Sequence, residues 1–216
     1  MKRYPVPAEE IRREIIVVNS RFIASLAPAF NVEQARAFIA RVKGEYPDAS
    51  HHVPAYLIGS GQSVTAHCSD AGEPSGTAGR PALAVLQGSG LGDVVVVVTR
   101  YFGGTKLGTG GLVRAYSDAV RTVLADVSRA ERVPTHTIMV ELPYNLLERT
   151  RRLVSACDGQ LIDEDFTASV MLTARFPVEQ WPVFQAGLTE LSNGTIQAEI
   201  IESGEALLPL QPPSEG

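Results

Sequence analysis

Two stretches concentrate the residue types that chemistry needs. Residues 69–81, SDAGEPSGTAGRP, place the carboxylates Asp70 and Glu73 in a loop of small residues. Residues 101–116, YFGGTKLGTGGLVRAY, hold five glycines in nine positions: Gly103, Gly104, Gly108, Gly110 and Gly111. Such density implies positive φ angles or a close approach of the backbone to something. The stretch follows the valine run Val94–Val98 and leads into an amphipathic segment, so it reads strand, glycine turn, helix. That arrangement presents unpaired N–H groups and the positive end of a macrodipole, which suits an anion. Arg80, Arg100, Lys106 and Arg114 could add phosphate contacts beside Gly108, Gly110 and Gly111. The same glycines equally suit a tight connection, and the same cations suit a solvated surface.

Known nucleotide motifs do not fit. Gly103 and Gly108 have Walker A spacing, but Thr109 and Gly110 stand where Lys and Ser or Thr are needed. Val113 occupies the third-glycine position of a dinucleotide fingerprint. Asp70 and Glu73 could assist a magnesium ion in phosphate or nucleotide chemistry, or could cap local structure; no third acid accompanies them. His51 and His52 are adjacent, so in a strand they face apart. No Cys/His cluster has zinc spacing, and no cofactor is expected. Cys68 follows His67, yet it reads as a small buried hydrophobe. Cys68 and Cys157 are expected to be reduced thiols of a cytoplasmic protein.

The elements that must position these residues follow from periodicity. Residues 11–18 and Phe22–Ala27 read as an antiparallel strand pair. Asn31 with Gln34 forms a capping box for a helix ending near Tyr46-Pro47. His52–Ile58 is strand, closed by a turn at Gly59-Ser60-Gly61, and a helix starting at Thr77 or Pro81 stops at Gly88. Leu112, Tyr116, Val120, Val123 and Val127 mark the apolar face of a helix reaching about Arg129, with Arg114, Asp118 and Arg121 opposite. Pro134 reads as a boundary. Beyond it come strand 137–144, helix 145–157, strands 161–165 and 167–176, helix 178–191 and strand 195–202. That β-α-β-β-α-β order is ferredoxin-like. Trp181 reads as core of that unit.

Composition is that of a globular protein, with 44% hydrophobic and 20% charged residues. No apolar run approaches the ~20 residues of a membrane span, and the first ten residues lack a signal's apolar region. The net charge of −5 is uneven. Residues 1–134 carry 15 Lys and Arg against 12 Asp and Glu, and residues 135–216 carry 4 against 12. Two domains with different partners are expected, spanning 1–134 and 135–203, followed by a loose tail over 204–216.

Residues 69–81 and 100–116 resemble the YigZ/IMPACT family, and the resemblance covers about residues 15–130. It implies an α+β protein whose first domain has the ribosomal-protein-type fold of elongation factor G domain IV. The second domain would be similar to that factor's domain V. Ala71 stands where the family usually has a second aspartate, which removes a candidate metal carboxylate. Eukaryotic relatives are translation regulators that compete with a stress kinase for its ribosome-associated activator. The resemblance therefore implies a non-enzymatic, translation-linked protein. Its basic glycine-rich face would meet RNA or a ribosome-bound partner, and its acidic second domain would supply a protein surface. A metal-assisted phosphate enzyme using Asp70 and Glu73 is the alternative.

Overall fold

The computed structural model describes residues 4–59 and 64–209. The valine run becomes β6 (Val94–Tyr101), the middle strand of a five-stranded sheet. On either side lie β3 (Ser20–Pro28) and β4 (His51–Ile58), flanked in turn by β2 (Ile11–Val17) and β5 (Thr65–Cys68), with every neighbour antiparallel. All five valines are fully buried because alternate side chains enter two cores. Val94, Val96 and Val98 pack beneath α2 (Gly79–Gly88) and α3 (Gly108–Ala125). Val95 and Val97 pack with Phe38 and Val42 of α1 (Val32–Glu45). The β2–β3 hairpin closes through Val18 and Asn19, both at positive φ, as a two-residue loop requires.

The expected cap of α1 is present, one residue longer than the simple box. Asn31 Oδ1 accepts from the Gln34 N–H, and Gln34 Oε1 accepts from the Phe30 N–H, each at 2.8 Å. The helix α3 stops at Ala125, short of the expected Arg129, because Arg129 already belongs to β7 (Arg129–Leu142). The start of β7 pairs with β1 (Pro5–Pro7), where Val6 opposes Ala130 and both are buried.

The chain divides into two compact units between Glu131 and Arg132, three residues before the expected boundary at Pro134. Pro134 lies in β7, between the residues paired to β1 and those paired to β9 (Val170–Pro177). A missing N–H is tolerated between two such pairings. The second unit, Arg132–Leu207, holds β7 beyond its first three residues, α4 (Tyr144–Ala156), β8 (Gln160–Phe166), β9, a single 3-10 turn, α5 (Trp181–Leu191) and all but the last two residues of β10 (Ala198–Pro209). In its sheet β9 lies between β7 and β8, and β10 pairs with β7. Ile138, Leu172, Phe176, Phe184 and Leu188 form its core, and Trp181 packs partly buried against Phe184. Residues 204–209, expected to be loose, continue β10; the rest of the expected tail and most of the Gly59-Ser60-Gly61 turn lie outside the described residues. Among the described residues, no helix is long and apolar enough to cross a membrane. The molecule is thus an α+β protein of two units, each built on an antiparallel sheet.

Candidate functional site

Asp70 is an anchor for its own loop. Its Oδ2 accepts from the Gly76 N–H at 2.8 Å, and its Oδ1 from the N–H groups of Ala78 and Gly79 at 3.1 and 2.8 Å. Those donors sit at the entrance to α2, whose own N-cap residue, Ala78, has no side-chain cap to offer. Burial would raise the Asp70 carboxyl, but the three backbone donors outweigh it and hold the group below the usual carboxylate range. Gly79 is required here, since a Cβ would lie 2.7 Å from the Ser69 carbonyl carbon. Asp70 therefore performs the capping role that the sequence left open against metal binding.

Glu73 is buried, and its Oε1 accepts from Arg100 Nη1 at 2.6 Å and from the Tyr116 hydroxyl at 2.7 Å. Burial and the Glu73 carboxylate together push the Tyr116 phenol far up, so it stays a donor. The Arg100 guanidinium lies 5.4 Å from the Phe22 ring centroid and 5.6 Å from that of Phe102. This corrects the expectation that Arg100 contacts phosphate: its charge is already neutralised inside the protein. Among the described residues, no three His, Cys, Asp or Glu side chains converge as a metal site would need.

The histidines also have separate duties. His51 Nδ1 meets the Ala71 carbonyl at 2.9 Å and His52 Nε2 meets that of Tyr46 at 3.0 Å. Burial lowers the His52 pKa and raises that of the Cys68 thiol, the opposite of nucleophile activation. His67 stacks on Tyr56 with centroids 5.1 Å apart.

The glycine turn splits into two kinds of position. A Cβ on Gly103 would fall 2.1 Å from the Asn19 carbonyl carbon and oxygen, so this glycine lets the turn touch the β2–β3 hairpin. Gly104 and Gly108 take φ of +84° and +70°. By contrast, a Cβ on Gly110 would meet nothing within 4 Å, and Gly110 is exposed. The first turn of α3, which includes Gly110 and Gly111, has no side-chain cap from Leu107 and no acidic residue. Lys106 and Arg114 are exposed close to it in sequence.

Arg100, Phe102, Lys106, Gly108, Thr109 and Leu112 share one hollow of about 340 Å³. Arg80 lies elsewhere, in an open groove of about 800 Å³ between α2 and α3 that also holds Arg121, Arg129 and Ser117. Arg114 lines neither. The candidate residues thus form two basic places rather than one. Phe102, Arg129 and the Tyr116 hydroxyl went unread in the sequence. Only Phe102 carried a signal, as an aromatic residue placed between a buried strand and a glycine turn.

The Impact N-terminal domain matches residues 18–124, and a domain of unknown function, DUF1949, matches residues 140–195. The chain belongs to the IMPACT family, as a YigZ-like member. It is 39% identical to the IMPACT family member YigZ of Escherichia coli (strain K12) over 94% of this chain and 100% of that protein. It is similar to the crystal structure of a hypothetical protein at TM-score 0.60 and 38% identity, covering 94% of this chain and 98% of the other. A far weaker likeness, at TM-score 0.35 and 22% identity over 56% and 46% of the two chains, is to the two-domain translational regulator Yih1.

Proposed function

We propose that this chain is a non-enzymatic, translation-linked regulatory protein that binds RNA phosphate through the first turn of α3. One observation carries the proposal. The first turn of α3, with Gly108, Thr109 and Gly110 exposed, has no side-chain cap and no acidic residue of its own. Lys106 and Arg114, near in sequence, form no ion pair within the described residues. An uncapped, acid-free helix start flanked by free cations attracts a phosphate. Arg80 and Arg129, in the α2–α3 groove, extend the positive charge of the same unit. Asp70 and Glu73 are engaged by the protein's own donors, which leaves the metal-enzyme alternative without free ligands.

The link to translation rests on family membership and on what the resemblance implies for eukaryotic relatives. We read the first unit as the ribosomal-protein-type fold and the second, by its β-α-β-β-α-β order, as ferredoxin-like. A cytoplasmic location and a protein partner for the acidic second unit belong to the same proposal.

The test is RNA binding by fluorescence anisotropy, with ribosome co-sedimentation from a low-salt lysate as its second arm. Wild type should bind, and the Lys106→Ala/Arg114→Ala double variant should bind at least about tenfold more weakly at low salt. Equal binding by the two proteins, or affinity indifferent to salt, would sink the proposal.

A further inference from the structure

We propose that the hollow beside α3 receives one unstacked nucleobase of a single-stranded RNA, laid on the ring of Phe102, with the adjoining phosphate at Gly108 and Lys106. This rests on the RNA-binding reading above and narrows it to a class of RNA. Phe102 is 50% exposed although it directly follows the buried strand β6. Its position is fixed from two sides. The Phe102 N–H donates to Ser50 Oγ at 3.1 Å, and its ring packs near the Arg100 guanidinium, which Glu73 holds in place. A large aromatic ring is thus left half in solvent, with its backbone anchored and a guanidinium beside it.

The walls near it suit a base. Phe102, Leu107 and Leu112 are apolar, while Lys106 and Thr109 are polar residues on the same hollow. Arg100, 5% exposed, also lines it, and its Nε–H finds no acceptor among the described residues. A cavity of about 340 Å³ lies at the small end of the ~300–1,000 Å³ typical of ligand pockets, the scale of one nucleotide. Gly108 of the α3 first turn lines the same hollow as Phe102, so an aromatic face and a phosphate locus are joined. Single-strand readers pair stacking aromatics with a cationic path for the backbone. A duplex keeps its bases stacked inside and could offer this site only phosphates.

The experiment compares a short unstructured RNA strand with its blunt-ended duplex, by anisotropy at one low salt concentration, for four proteins. Wild type should prefer the single strand. Phe102→Ala and Phe102→Leu, which removes the π face but keeps apolar bulk, should each lower single-strand affinity about tenfold. Both should leave duplex affinity unchanged. Lys106→Ala should weaken both RNAs. If wild type binds duplex as tightly as single strand, or if Phe102 variants weaken neither RNA or both alike, the inference is overturned while RNA binding stands. If wild type binds neither RNA, the underlying reading is overturned and the inference goes with it.

Discussion

Replacing Glu73 by Gln would leave the Arg100 guanidinium, 5% exposed, buried without its counter-ion. Breaking a buried pair from one side costs about 3–5 kcal/mol, because the remaining charge stays desolvated. Glu73→Gln should therefore lower the urea midpoint sharply, whereas Glu73→Leu combined with Arg100→Met should recover most of the loss. A loss under about 1 kcal/mol for the single variant would contradict the geometry. Asp70 gives a pH signature. Its folded pKa is depressed, so its stabilisation is complete above the unfolded value of about 3.9 and fades as pH falls through the folded value. Asp70→Asn should cost about 1–3 kcal/mol at neutral pH, with the gap to wild type closing below about pH 4. A gap that stayed constant in acid would remove the carboxylate from that role. Neither acid's role was legible from spacing alone. The partners of Glu73 lie 27 and 43 positions away, at Arg100 and Tyr116. A loop with two acids looks the same whether its donors are backbone groups, a buried arginine or a metal.

At the level of elements, the glycine turn and α3 should respond oppositely to substitutions that look alike. Gly103→Ala would drive a Cβ onto backbone atoms of Asn19, which no rotamer can relieve. Its cost should reach at least about 3 kcal/mol, the upper end of overpacking. Gly110→Ala meets open space within the helix and should stabilise by about 0.5–1 kcal/mol. Gly110→Glu adds a favourable charge at a helix start, worth about 0.3–1 kcal/mol, while setting a carboxylate where phosphate is proposed to sit. Thermal unfolding should rank Gly110→Glu above wild type even as RNA anisotropy ranks it below. A stabilised variant with intact RNA affinity would place the phosphate elsewhere. In sequence the five glycines were equivalent, because what separates them is the atom opposite. The strand–turn–helix order was legible because valine run, glycine cluster and amphipathic repeat are local signals. β1 was not, since Pro5 and Pro7 argue against a strand and only pairing with residues 129–131 makes one. The continuation of β10 to Pro209 was hidden for the same reason, as Gly204 and Pro209 suggested a loose segment.

For the whole molecule, charge is the property that most sets the two units apart. The chain is net acidic at −5, so generalised attraction would not supply the proposed RNA binding, and any such affinity would have to come from a local face. In the sequence the positive balance lies before residue 134 and the acidic excess beyond it, which favours the first unit for the proposed face. Composition could not show that Arg100 is withdrawn into an ion pair while Lys106 and Arg114 remain in solvent. The salt dependence of binding distinguishes these cations, since each phosphate contact contributes about 0.7–0.9 to the slope of log affinity against log salt. Lys106→Ala and Arg114→Ala should each reduce the slope by about one. Arg149→Ala, at an exposed position on α4 of the second unit, should leave it unchanged. Were Arg149→Ala to reduce the slope as much as Lys106→Ala, the second unit would also be holding RNA despite its acidity, and the assignment of binding to the α3 face would have to be abandoned.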